Sequence, residues 1–172
     1  MKINMASNEV IHFIGIGGIG MSGLAQIMNN LGFAIQGSDL SQNKNTERLT
    51  KLGIKIFIGH HQKNLKKATM VVISSAVKKN NKELMTARVK KLPVFKRGEM
   101  LANIVALKKN IVVAGSHGKT TTTSLVANIL VEAGLDPTVI NGGVINSLKN
   151  SAQLGKGEWA VIESDESDGS FS

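Results

Sequence analysis

Val10-Ile11-His12-Phe13-Ile14-Gly15-Ile16-Gly17-Gly18-Ile19-Gly20 is an apolar run that ends in G-x-G-x-x-G and opens the apolar-periodic segment Met21 to Leu31. This is the order of strand, glycine turn and helix that the pattern requires to carry meaning. Glycines there let the backbone turn tightly and come close to a diphosphate, whose charge sits among the unpaired N–H groups of a helix start. About 20 residues further on comes Asp39, at the end of the next apolar run, where an acidic residue commonly binds ribose hydroxyls. Taken alone, these two features fit a nicotinamide-dependent dehydrogenase.

A second glycine loop changes that reading. Ile111-Val112-Val113-Ala114 runs into Gly115-Ser116-His117-Gly118-Lys119-Thr120 and then into the helix-like stretch Lys119 to Ala133. The usual phosphate-loop spacing is G-x-x-x-x-G-K-[ST], and this chain has the shortened G-x-x-G-K-T. The chemistry survives the shortening: Lys119 can place an ammonium on transferring phosphates, Thr120 can offer a hydroxyl to Mg²⁺, and N–H groups from Ser116 to Lys119 can line the phosphates. A glycine turn that merely starts a helix has the same local look. What weighs against it is the cluster Glu163-Ser164-Asp165-Glu166-Ser167-Asp168 directly after Trp159-Ala160-Val161-Ile162. A buried parallel strand ending in a carboxylate delivers a metal ligand to the edge where a phosphate loop opens. Glu163, first after the run, is the candidate ligand beside Thr120; Asp165, Glu166 and Asp168 read equally well as a solvated turn.

Strands are expected at Val10–Gly15, Ala34–Ser38, Ile54–Ile58, Met70–Ser74, Val94–Phe95, Ile111–Ala114, Val139–Ile140 and Trp159–Glu163. Helices are expected at Ile19–Leu31, Asn45–Lys51, Lys82–Lys90, Gly98–Leu107 and Lys119–Ala133, with stops at Gly32 and Gly134. Such alternation predicts an α/β protein with parallel sheets. The short charged stretch Leu107-Lys108-Lys109-Asn110 is the expected boundary, giving a Rossmann-like domain over 1–107 and the incomplete start of a phosphate-loop domain over 108–172. One helix over the second sheet predicts that Ile111–Ala114 and Trp159–Ile162 stay partly exposed.

The chain has 172 residues, 42% of them apolar, which is ordinary for a packed core. It has no cysteine, so disulfides and thiolate chemistry are excluded. The short polar Met1–Asn8 has no signal-peptide core, and no apolar run approaches a membrane span, so a cytoplasmic location without membrane contact is expected. The formal net charge of +9 comes from residues 1–107, while 108–172 carry a small acidic excess. The lysines come in scattered pairs without interleaved aromatics, unlike a nucleic-acid groove with stacking platforms. A lysine-rich solvated surface that also attracts polyanionic ligands is the reading here. Among the histidines, His12 is expected to pack within its strand, His60 and His61 end a strand where a nucleotide contact is feasible, and His117 lies in the second loop. No histidine spacing argues for zinc.

Gly15 to Ala25, Gly37-Ser38-Asp39, Ser74-Ser75-Ala76, Arg97-Gly98-Glu99-Met100-Leu101, Gly115 to Thr123, Asn141-Gly142-Gly143 and Glu163 to Asp168 resemble, in this order and spacing, the bacterial Mur ligases. The resemblance covers essentially the whole chain. It departs at Ser116, where the family more often has threonine, and at Gly169, where alanine is usual. It implies a three-domain ATP-dependent enzyme of peptidoglycan precursor synthesis, of which this chain is an N-terminal fragment, inactive alone. It further implies that L-alanine is joined to UDP-N-acetylmuramate through an acyl phosphate. By that resemblance the sugar nucleotide lies on Gly17, Gly18, Ile19, Gly20 and Met21, with Ser38, Asp39, His60 and Ser74 near its ribose or uracil and Asn141 at its reacting end. ATP lies on Gly115, Ser116, His117, Gly118, Lys119, Thr120 and Thr121, with Mg²⁺ on Thr120 and Glu163, and Lys119, Thr120 and Glu163 as the catalytic set. The incomplete second domain carries an expectation of self-association.

Overall fold

The computed structural model describes residues 9–141 and 152–163, which fall into two compact units, residues 1–100 and 101–172. In the first unit β1 (Val10–Ile14), β2 (Ala34–Asp39), β3 (Lys55–Ile58), β4 (Met70–Ile73) and β5 (Val94–Lys96) form one sheet in the order β3-β2-β1-β4-β5. Every pairing in it is parallel. The strand order reverses between β1 and β4, and the crevice outside the carboxyl ends at such a point is where open α/β sheets bind ligands.

The helices of this unit are α1 (Ile19–Asn30), α2 (Lys44–Lys51) and α3 (Lys82–Val89), with a 3₁₀ turn at Gln62–Leu65; α4 (Arg97–Ala106) contains the division between the units. The apolar period of α1 buries Met21, Leu24, Ala25, Ile27 and Met28, while Phe13, Ile11 and Ile14 of β1 are fully enclosed. Full burial of one such side chain contributes about 1.5–3 kcal/mol, so β1 and α1 anchor the loop between them. Helix α1 stops where the Gly32 and Phe33 amides donate back to Asn29 and Met28, the paired closure of a helix end at a left-handed residue. Polar caps start α2 and α3. Asn43 accepts from the Asn45 and Thr46 amides in a capping box, and Asn81 accepts from those of Glu83 and Leu84.

The second unit holds β6 (Lys109–Val113), α5 (Lys119–Glu132), β7 (Thr138–Ile140), β8 (Ala152–Gln153) and β9 (Trp159–Glu163), with sheet order β6-β9-β7-β8. β6, β9 and β7 run parallel, but β8 is antiparallel to β7 and too short to leave an alternating pattern in the sequence. Lys109 and Asn110, expected in a linker, open β6 instead, because Lys109 pairs with Trp159 and its ammonium reaches Glu158 at 2.8 Å. The expected exposure of both apolar runs holds for one of them. Val112 on the outer strand β6 is 44% exposed, whereas Ala160, Val161 and Ile162 on β9 are buried because β9 lies between β6 and β7. The Lys108 ammonium donates to the Gly155 and Gly157 carbonyls, and burial pushes it below the ordinary lysine range.

Candidate functional site

The first glycine loop leaves β1 at Gly15, whose φ is +81°, and delivers Gly18 as the residue before α1. Its conformation is held from three sides. The Gly17 amide donates to Asp39 Oδ2 at 2.7 Å, the Gly17 carbonyl accepts from Asn45 Nδ2 at 2.8 Å, and the Gly15 amide donates to the Ser38 carbonyl. A Cβ on Gly17 would lie 2.5 Å from Asn43 Nδ2 and 2.8 Å from Asp39 Oδ2, so the close approach needs glycine.

Beside this loop opens a cleft of about 560 Å³, within the range of small-molecule sites. Gly17, Gly18, Asp39, His60 and Ser74 of the sequence-predicted set all line it. The rest of that set lies elsewhere: Ser38 is fully buried beneath His60, Met21 packs in the core, and Ile19 is 89% exposed. Gly20 faces Arg97, whose Nη1 is 2.8 Å from the position a Cβ would take. Arg97 thus brings a guanidinium to the start of α1, a placement the motif Arg97-Gly98-Glu99-Met100-Leu101 hinted at without assigning it.

Beneath the cleft a buried polar network was invisible in the sequence. Glu83 of α3 is fully buried and accepts from Ser38 Oγ at 2.5 Å and Asn64 Nδ2 at 2.6 Å, with His60 Nδ1 at 3.0 Å and His12 Nε2 at 3.4 Å. The His12 contact is longer than a hydrogen bond and not aligned as one. Burial by itself raises the Glu83 carboxyl, but the contacts from His12, Ser38 and Asn64 outweigh it and hold it below the ordinary carboxylate range. The sequence assigned Glu83 no role; its place in the first turn of α3 was the only signal it carried.

In the second unit Gly118 adopts φ +75° and hands over to Lys119 and α5. The Lys119 ammonium bends over the loop onto the Gly115 carbonyl at 2.7 Å. Thr120 Oγ1 lies 3.1 Å from both carboxylate oxygens of Glu163. Register explains the meeting, since Val113 pairs with Glu163 and both strands end at the edge where the loop opens. Ser116, His117, Gly118 and Thr121 are exposed along the loop. A hydroxyl and a carboxylate converging this way form an oxygen donor set that fits Mg²⁺, which keeps several of its waters. Asn141 follows β7, and its Oδ1 is buried with no hydrogen-bond partner among the described residues. Gly142, Gly143 and the acidic residues after Glu163 lie outside the described residues.

Comparison with known proteins gives the same picture. A UDP-N-acetylmuramate–L-alanine ligase of Pelagibacter ubique is 67% identical over 171 residues, covering 99% of this chain and 37% of its own length. One from Rhodospirillum rubrum is 62% identical over 161 residues, covering 94% and 34%. The solved UDP-N-acetylmuramate–alanine ligase of Thermotoga maritima matches with a TM-score of 0.65 at 35% identity, covering 89% of this chain and 36% of that one. A UDP-N-acetylmuramate:L-alanyl-gamma-D-glutamyl-meso-diaminopimelate ligase from Neisseria meningitides matches with 0.66 at 34%, covering 92% and 53%. The chain spans little more than a third of the length of the curated relatives it matches. The family model described as Mur ligase family, catalytic domain, matches residues 10–109, the stretch that holds the glycine loop, the cleft and the network beneath it. By that match over more than half its length, the chain belongs to the Mur ligase family.

Proposed function

We propose that this chain provides the sugar-nucleotide cleft and the ATP phosphate loop of a ligase that joins L-alanine to UDP-N-acetylmuramate. Residues 1–107 would form the sugar-nucleotide domain and 108–172 the start of the ATP domain. The observation that carries the ligase reading is the convergence of Thr120 and Glu163 beside Lys119. A dehydrogenase has no use for such a set. The choice of alanine rests on the Pelagibacter and Rhodospirillum ligases, which at 67% and 62% identity are more similar to this chain than the Neisseria enzyme at 34%.

In the proposed reaction the lactyl carboxylate oxygen attacks the γ-phosphorus of ATP, the bond to the β-bridging oxygen breaks, and ADP leaves. The alanine amine then attacks the acyl carbon and displaces phosphate, losing a proton to give the amide. Lys119 neutralises negative charge on the transferring phosphoryl oxygens, and the loop amides from Ser116 to Lys119 orient the phosphates. Thr120 and Glu163 would hold Mg²⁺, which would supply charge neutralisation to the phosphates. Gly17 and Gly18 cradle the diphosphate of the sugar nucleotide at the start of α1. Asn141, its Oδ1 buried and without a hydrogen-bond partner among the described residues, would position the reacting end. No residue need act as a covalent nucleophile.

Calorimetric titration of the chain with UDP-N-acetylmuramate and with NAD tests the cleft. Saturable binding of the sugar nucleotide, tighter than that of NAD, is expected, and the reverse order would overturn the assignment.

A further inference from the structure

We infer that Glu83 is a positioning residue: it fixes His60 with its proton on Nδ1, so that Nε2 meets the ligand as a hydrogen-bond acceptor and selects a base that carries an N–H at that point. The inference rests on the cleft being a uridine-nucleotide site and adds how the base is read. Ser38 has a single hydroxyl proton, and it goes to Glu83 Oε2 at 2.5 Å. Ser38 therefore has none for His60 Nδ1, which nonetheless lies 2.9 Å from Ser38 Oγ and 3.0 Å from Glu83 Oε2. Two oxygens facing one ring nitrogen are favourable only if that nitrogen carries the proton. In the neutral ring the lone pair is then on Nε2.

The carboxylate cannot turn away. Its other oxygen is held by Asn64 Nδ2 at 2.6 Å, and that same amide also donates to the Gly59 carbonyl. Gln36 Nε2 closes the base of the network by donating to the Asn64 carbonyl and to His12 Nδ1. Four elements thus converge on one buried anion: β1 through His12, β2 through Ser38, the segment after β3 through His60 and Asn64, and α3 itself. A buried carboxylate left without these donors would be costly. His60 alone among these residues lines the cleft, with its side chain 15% exposed. The ring edge away from Glu83 is the part left for a ligand.

Strand order says which part of the nucleotide arrives there. Along the carboxyl edge run the glycine loop after β1, Asp39 at the end of β2, and His60 just beyond β3. Neighbouring strands are about 4.8 Å apart. A diphosphate on the first, a ribose beside the second and a base beside the third follow in the order in which a nucleotide connects them. Uracil offers an imide N3–H, whereas cytosine has an acceptor lone pair at N3. An acceptor on His60 therefore favours UDP and leaves CDP facing lone pair against lone pair.

Calorimetry of the chain with UDP and CDP at mildly alkaline pH, together with ¹⁵N spectra of histidine-labelled chain, tests this. The expected results are UDP binding tighter than CDP by about tenfold or more, and a His60 resonance pair showing Nδ1 protonated and Nε2 not, assigned by its loss in His60→Asn. Glu83→Gln should shift the His60 tautomer and bring the UDP-to-CDP ratio towards one, while Ser38→Ala, which leaves the Glu83–His60 contact, should keep the preference. UDP selectivity with Nε2 protonated in the unmodified chain, or with both readouts unchanged in Glu83→Gln, would overturn the role of Glu83 and leave the uridine site standing. Absence of UDP binding would overturn both. The unmodified-chain spectra and the nucleotide ratio decide the matter even if Glu83→Gln does not fold.

Discussion

The two glycine loops of this chain each lead into a helix, yet their surroundings differ. The first is built into a closed core: α1 buries six residues, and Asp39, Asn43 and Asn45 lock the loop from outside. The second stands on a helix of which only Thr123 and Ala127 are buried, with Leu125, Ile129 and Val131 exposed. The first loop has no lysine; the second has Lys119, and behind it Thr120 and Glu163. A cradle for a ligand that is only bound can be rigid and chemically plain. The phosphoryl transfer proposed at the second would use the Lys119 ammonium and the hydroxyl–carboxylate pair beside it.

If that contrast holds, substitutions should separate the two. Leu24→Ala on α1 empties a fully enclosed position and should cost about 2–5 kcal/mol by denaturant unfolding; a loss near zero would mean α1 is not the anchor proposed. Lys119→Ala, measured in a complete ligase carrying this sequence, should lower turnover roughly 10²- to 10³-fold, about 3–4 kcal/mol, with the melting temperature unchanged. Near-normal turnover would remove the second loop from the chemistry. Gly37→Ala places a Cβ 2.5 Å from Ile16 Cδ1 and 2.8 Å from the Phe13 carbonyl, so unfolding free energy should fall by about 1–3 kcal/mol.

Acid sharpens the contrast in another way. The Glu83 carboxyl is held below its ordinary value of 4.5 in the folded chain. Its contribution to stability is therefore fully present above about pH 4.5 and is lost as pH falls through the lower folded value. Thermal melts of the unmodified chain should drop faster below pH 4.5 than those of Glu83→Gln, and parallel curves would show that the network does not hold the anion. The smallest effect belongs to α5. Ile129, 68% exposed, should tolerate alanine within about 0.5 kcal/mol in the 172-residue chain.

Much of the fold was legible because glycine punctuation and apolar period coincide: Gly15, Gly32 and Gly134 mark turns and stops, and the helix starts at Ile19 and Lys119 follow glycine loops. The meeting of Thr120 with Glu163 was legible too, since Thr120 opens α5 after the second loop and Glu163 ends β9 at the same sheet edge. Glu83 and Asn64 were not, because nothing local assigns them a role, and Arg97 stood in the Arg97-to-Leu101 motif without one. Glu83 becomes special only when α3 packs so that its first turn faces His12, Ser38 and His60 across three other elements. β8 escaped because two residues carry no period, and the exposure of β6 against the burial of β9 depends on sheet order, which composition does not encode.

The sheet orders also bear on colloidal behaviour. Among the described residues β3, β5 and β6 each end a sheet, and an open strand edge is a template for the edge of another chain. Each of the three carries one exposed lysine, Lys55, Lys96 and Lys109, and the remaining end strand, β8, is only two residues long. A charge on a strand edge must lose water before a second strand can pair there, and short edges offer little to pair with. Part of the lysine surplus is thus expected to guard the strand edges, and replacing these three side chains with threonine should raise light scattering of the folded chain without lowering its melting temperature.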